Sequence, residues 1–212
     1  MASYVIRQAR IEDCDVIHQL LQEFAVHENY DADKITNTIK GLKRDGFGEQ
    51  AWFHCLVSEC VSYDKNLSSL QHNGVVGFLV FYYGYDAWQG KLTYMSDIYI
   101  TEKHRGNGLG KKMMQQAARI SQEAGCQKMQ WIVSDWNVPA RDFYKRIGAE
   151  DYTDQEKEAH RQHYIVLDGK DFNSFAEAGA QYSSSFASSS DINKIKDNRC
   201  EVQLAEELII VQ

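Results

Sequence analysis

The chain of 212 residues is poor in several things, and each shortage excludes something. It has a single proline, which fits an ordinary globular composition with 43% hydrophobic residues rather than a proline-rich linker. Its five cysteines (Cys14, Cys55, Cys60, Cys126, Cys200) are odd in number and scattered, with no Cys-x-x-Cys pair. Neither a zinc site nor a disulfide framework is suggested, and no metal is expected. The cysteines read as small buried hydrophobes in a reducing compartment. No apolar run approaches membrane-spanning length, and the N-terminus shows no charged-then-apolar export signal. The expectation is a cytoplasmic protein. Basic residues are outnumbered, giving a formal net charge of −7. Such a chain is a poor partner for nucleic acid or an anionic membrane. Its surplus carboxylates keep it in solution and also suit a cationic substrate.

What is present centres on residues 94–125. YMSDIYI (94–100) is rich in aromatic and β-branched residues and reads as a buried strand. RGNGLG (105–110) interrupts regular structure. From Leu109 the apolar residues Leu109, Met113, Ala117 and Ile120 recur at helical spacing, and Gly125 stands where a helix C-cap glycine belongs. A glycine loop feeding a helix presents free backbone N–H groups and the positive end of the helix dipole, which suits phosphate. Arg105, Lys111 and Lys112 place positive charge around the same spot. Two better-known phosphate loops do not fit the spelling. A Walker loop needs Ser or Thr after Gly110-Lys111, where Lys112 stands. A dinucleotide fingerprint needs its third glycine one residue later than Gly110.

The rest of the chain alternates strands and helices. Strands are expected at Tyr4–Arg7, Trp52–Glu59, Gly74–Tyr83, Lys128–Val133 and Tyr164–Leu167. One helix carries the stripe Val16, Ile17, Leu20, Leu21, Phe24, with Glu12, Asp13 and Asp15 in its first turn, and ends near His27. A second turns Ile35, Ile39 and Leu42 inward and ends before Asp45. A third runs through Pro139 to Ile147, with Gly148 ending it. Ser62–Asn73 is a polar loop. The order describes an α+β domain with a mixed sheet over residues 1–170. Residues 171–212 form a tail that contains the serine-rich run QYSSSFASSSD and reads as flexible. Leu208–Val211 is an apolar cluster at its end that either docks or stays loose.

Arg105-x-x-Gly108-x-Gly110 after a strand resembles the pyrophosphate loop of the GNAT superfamily of acetyl-CoA-dependent N-acetyltransferases. Trp136-Asn137 followed by Phe143-Tyr144-Lys145-Arg146-Ile147-Gly148-Ala149 completes that pattern. With Val5-Ile6-Arg7, Asp45-Gly46-Phe47-Gly48 and Tyr85-Asp86-x-Trp88-x-Gly90-Lys91-Leu92, the chain looks like the diamine acetyltransferases over roughly residues 3–168. Those are the spermidine/spermine N1-acetyltransferases and the related thialysine N-acetyltransferases.

The resemblance implies a GNAT fold with a V-shaped opening between the strands at 94–100 and 128–133, and a homodimer. Acetyl-CoA would lie in the opening, along the backbone of Ile98, Tyr99 and Ile100. Its pyrophosphate would sit on Arg105, Gly106, Asn107, Gly108, Leu109, Gly110 and Lys111, with further contacts from Asn137, Val138, Pro139 and Ala140. A backbone N–H near Ile98 would meet the developing oxyanion. Tyr144 matches the family's general acid. A small cationic amine, a polyamine or diamine, would be held by positions matching His27, Glu28, Asp86, Trp88, Ser96, Asp97, Gln130, Trp131, Ile132, Trp136 and Glu156. Ser96 stands where the resemblance implies a glutamate base. Asp97 is adjacent, but strand alternation places it on the other face. Asp86, Glu28 and His27 are the other routes for the proton. Two alternatives stay open: acetylation of thialysine or another lysine-like amine, and a CoA-binding scaffold without catalysis. The intact Tyr144 and glycine loop speak against the scaffold.

Overall fold

A computed structural model describes residues 2–61, 74–153, 171, 173–174 and 209–211. Two compact units divide the chain, Met1–Arg141 with Val202–Gln212 and Asp142–Glu201. The first unit holds a mixed six-stranded sheet. Its strands are β1 (Tyr4–Gln8), β2 (His54–Cys60), β3 (Val75–Asp86), β4 (Gly90–Ile100), β5 (Met129–Gln130) and β6 (Ile209–Val211), ordered β5-β4-β3-β2-β1-β6. All neighbours are antiparallel except β4 and β5. The helices are α1 (Cys14–His27), α2 (Ile39–Phe47), α3 (Leu109–Glu123) and α4 (Val138–Arg146).

The apolar residues of β2 and β3 alternate between two covered faces, which is why β3 opens as a nearly continuous hydrophobic run. One face turns Cys55, Val57, Phe78 and Tyr99 against Val16, Ile17 and Leu20 of α1 and Leu42 of α2. On the other, Leu56, Leu79, Phe81 and Met95 are buried, as are Leu109, Met113, Ala117 and Ile120 of α3, which packs on β2, β3 and β4. Each such fully buried Phe or Leu contributes roughly 1.5–3 kcal/mol. Cys14, Cys55, Cys60 and Cys126 are all buried, as expected of small hydrophobes.

Several boundaries differ from expectation for local reasons. Ile35 lies outside α2, because Asp31 caps a short 3-10 turn (Ala32–Lys34) and Thr38 Oγ1 accepts from Gly41 N to start the helix at Ile39. α2 then continues through Gly46. The Phe53 ring fills the space beside that glycine, where an added Cβ would stand 2.5 Å from Cζ. Glu12 and Asp13 precede α1 in a 3-10 turn, leaving Asp15 as the acidic residue of its first turn. The expected buried strand Lys128–Val133 is reduced to Met129–Gln130, and neither residue is buried. Its ladder holds only Thr93↔Met129 and Tyr94↔Gln130. Just beyond, β4 carries a bulge at Ser96, between the pairs Phe81↔Met95 and Val80↔Asp97. A bulge bends its strand, so β4 turns away from β5 and the two splay. At the far edge, residues 209–211 pair with β1. The expected loop Ser62–Asn73, the strand Tyr164–Leu167, the serine-rich run, Leu208 and Cys200 lie outside the described residues.

Candidate active site

The glycine loop takes the shape its spelling suggests. Gly106 and Gly108 hold φ of +79° and +75°, conformations that favour glycine, and Gly108 is the N-cap of α3. An added Cβ at either would meet nothing within 4 Å, so the loop is bare on that side. Among the described residues, none of the N–H groups from Gly106 to Lys111 has a hydrogen-bond acceptor; the first intrahelical bond is Lys112 N to Gly108 O, 3.1 Å. Asn107 Nδ2 ties the loop together by donating to His104 O and Arg105 O. Arg105 Nε donates to Ile100 O at 2.8 Å, and its guanidinium lies 5.4 Å from the centre of the Tyr99 ring. A row of amides with no acceptor among the described residues, at the start of a fifteen-residue helix and with a cation alongside, fits a diphosphate. Alongside, β4 has no ladder partner past Tyr94 on its β5 side among the described residues, which leaves backbone for an extended ligand to pair with.

A second group of residues gathers beside this edge. Glu28, just past the end of α1, accepts from Ser134 Oγ at 2.7 Å and from Asn137 Nδ2 at 3.2 Å. Asn137 also accepts from Ala140 N at 3.3 Å, as a cap at the start of α4. His27 packs between Tyr99 and Trp136, ring centres 6.1 and 6.0 Å away. Burial, then the nearby Arg105 guanidinium, pushes the His27 imidazole below its ordinary value. Ser96 Oγ donates to Asp97 Oδ2 at 2.6 Å. This corrects the alternation argument. The bulge breaks the period of two, so Ser96 and Asp97 meet instead of facing apart. Burial raises the Asp97 carboxyl above the usual range; the Ser96 hydrogen bond opposes that rise and the charge of Glu28 adds to it. Ser134 was not anticipated, and a lone serine after a short strand carries no signal in sequence.

Asp86 is not brought to this group. Asp86 sits in the β3–β4 turn, where its Oδ1 accepts from Trp88 N and Gln89 N and its other oxygen is 3.6 Å from Lys128 Nζ. Asp86 pairs with Gly90, seven residues from Asp97 along β4, or roughly 20 Å at the usual strand rise. Trp88 is 96% exposed and Ile132 79%. Gln130 is exposed and Trp131 half-buried. Val138 and Pro139 are exposed in the first turn of α4, followed by half-buried Ala140. Tyr144 belongs to the second unit, half-buried, with its ring centre 5.4 Å from that of Phe143. Glu156 lies outside the described residues. No group of three or more metal-ligating side chains occurs among the described residues, and no helix there is long and apolar enough to cross a membrane.

Comparison with known proteins agrees with this geometry. The model of the acetyltransferase (GNAT) family matches residues 21–149. The chain is 37% identical over 156 residues to a thialysine N-epsilon-acetyltransferase of Bos taurus, spanning 74% of this chain and 89% of that protein. It is 35% identical to the spermidine/spermine N(1)-acetyltransferase-like protein 1 of Homo sapiens, over 74% of this chain but 22% of that longer protein. Among solved structures, an integron cassette protein from the mobile metagenome of V. cholerae superposes with a TM-score of 0.58 at 22% identity, over 81% of this chain and 97% of that one. At that identity the likeness speaks for fold alone. A family match across more than half the chain, a relative at 37% identity and the splayed sheet with its bare glycine loop agree: this chain belongs to the acetyltransferase (GNAT) family.

Proposed function

We propose that the protein transfers the acetyl group of acetyl-CoA to a primary amine of a small cationic substrate, with a polyamine or diamine as the amine. The observation that carries this reading is the row of N–H groups from Gly106 to Lys111 that have no acceptor among the described residues, beside the edge of β4 that has no ladder partner there past Tyr94. These amides would hold the diphosphate, the β4 backbone from Ile98 to Ile100 would align the pantetheine arm, and acetyl-CoA would supply the activated thioester. Glu28 and Asp97 supply negative charge, and the rings of His27 and Trp136 supply faces for a flexible cation. Tyr144 is assigned as the acid that protonates the leaving sulfur. A cytoplasmic homodimer belongs to the same reading. A second substrate, thialysine or another lysine-like amine, is favoured by the activity named for the bovine relative.

Thiol release from acetyl-CoA with a panel of amines tests the reading. Spermidine, 1,3-diaminopropane and thialysine are expected to give the highest kcat/KM. A panel in which only peptides or aromatic amines react would defeat it. The loop has its own test. In Gly108→Ala the methyl meets no protein atom but forces an L residue into a left-handed conformation, at a cost of about 1–2 kcal/mol. It also projects into the space assigned to the diphosphate. The melting temperature should fall by a few degrees and the Kd for acetyl-CoA rise about tenfold, read by thermal melting and calorimetry. Unchanged cofactor affinity would remove the loop from the binding site.

A further inference from the structure

We propose that Asp97, steered by the Ser96 hydroxyl, is the general base that takes the proton from the substrate ammonium. This rests on the amine-transfer reading above and assigns a step within it. Three carboxylates and one imidazole compete for the part. Asp86 is roughly 20 Å along β4 from Asp97, at the far end of the strand. Glu28 already receives a hydrogen bond on each oxygen, from Ser134 and Asn137, so neither oxygen is left for an incoming proton. Burial, and after it the nearby Arg105 charge, oppose protonation of His27. Asp97 differs from all of them. It accepts one hydrogen bond, on Oδ2 from Ser96, and among the described residues Oδ1 accepts none. It directly precedes Ile98, on the stretch of β4 that leaves β5.

The chemistry suits an acid–base role. Glu28 is the charged group acting on Asp97, with His27 next to it in sequence; across the ladder on β3 stands uncharged Val80. Burial and the Glu28 charge both disfavour the carboxylate, so it accepts a proton more readily than a solvated aspartate would. The step balances as follows. Asp97 carboxylate takes one proton from R–NH3+, leaving R–NH2 and a carboxylic acid. The freed lone pair forms the C–N bond to the acetyl carbonyl carbon, and the C–S bond breaks with its electron pair going to sulfur. Sulfur leaves as the thiol after taking up the proton that the nitrogen sheds as the amide forms. Asp97 returns its proton to water, and one H+ is released per acetyl transferred.

The test is steady-state thiol release between pH 5.5 and 9.5 with spermidine and with thialysine, using full-length wild type, Asp97→Asn and Ser96→Ala. Calorimetric titration of acetyl-CoA accompanies each variant. Asp97→Asn should lose about 100-fold or more in kcat. Its Kd for acetyl-CoA should stay within about twofold, and the acid limb of kcat/KM should disappear. Ser96→Ala should move that limb to higher pH, because the hydrogen bond it removes favours the charged carboxylate. An Asp97→Asn enzyme that keeps its acid limb, or whose whole loss is in amine KM, overturns the assignment while amine transfer stands. A limb unmoved in Ser96→Ala overturns it too, and decides alone if Asp97→Asn does not fold. Wild type that releases no thiol with either amine overturns amine transfer and this base with it.

Discussion

Tyr144→Phe is expected to lower kcat about 100-fold or more while leaving the Kd for acetyl-CoA unchanged. The argument starts from leaving-group chemistry. A departing thiolate has a pKa of about 8.5, and a phenol of about 10 is close enough to give it a proton as the bond breaks. The substitution removes only this O–H. The aromatic ring is kept, and with it the contact to Phe143, 5.4 Å between centres, so the fold should lose little. Tyr144 also lies within α4, in the run Phe143-Tyr144-Lys145-Arg146, and Ala149 N and Ile147 N both donate to its carbonyl. These backbone bonds do not depend on the hydroxyl. Kinetics across pH 6–9, with far-UV circular dichroism as a fold control, reads the result. Turnover equal to wild type across that range would strip Tyr144 of the acid role.

The second large effect concerns stability. Asp13 receives Arg7 through two hydrogen bonds, Nη1 to Oδ2 at 2.6 Å and Nη2 to Oδ1 at 2.9 Å, and a third from Arg10 N at 2.7 Å. Arg7 Nε turns to Glu59 at 2.9 Å, so one guanidinium ties β1, β2 and the turn before α1. The Arg7 and Asp13 side chains are only 14% and 11% exposed. Removing one partner of such a pair leaves a buried charge short of its counterpart, so Asp13→Asn should cost about 3 kcal/mol in urea unfolding. The pH dependence has a definite sign. Burial alone would raise the Asp13 carboxyl, but the Arg7 guanidinium and the Arg10 amide outweigh it and hold the group below the usual carboxylate range. A depressed folded value means the stabilisation is fully present above the unfolded pKa of about 3.9 and is lost as pH falls through the lower folded value. The stability gap between wild type and Asp13→Asn should therefore be flat near neutrality and shrink below about pH 4. A gap that stays constant down to pH 2.5 would show that Arg7 does not stabilise the ionised form.

Much of the frame could be read from the chain. The stripe Val16, Ile17, Leu20 is the buried face of α1. The run 75–83 is a strand covered on both sides for most of its length. Gly125 takes the positive φ angle that its place just past the end of α3 favours. These signals are local, because periodicity and turn chemistry act over a few residues. The readings that missed depended on distant partners. Ile132 looked like the middle of a buried strand and is exposed, because apolarity does not reveal whether a neighbouring strand continues alongside.

By itself, the sequence determined the strand–loop–helix unit around Gly108 and the kinship that its spacing displays, since both are written within a few dozen residues. Only the tertiary structure decided which acidic residues meet. It drew Glu28, Ser134 and Asn137 together across more than a hundred residues of chain, and left Asp86 at the far end of β4. It also set the bulge at Ser96 that turns Asp97 toward its neighbour. The register of β4 on β3 places that bulge, and register is a property of two strands at once, which neither segment alone can specify.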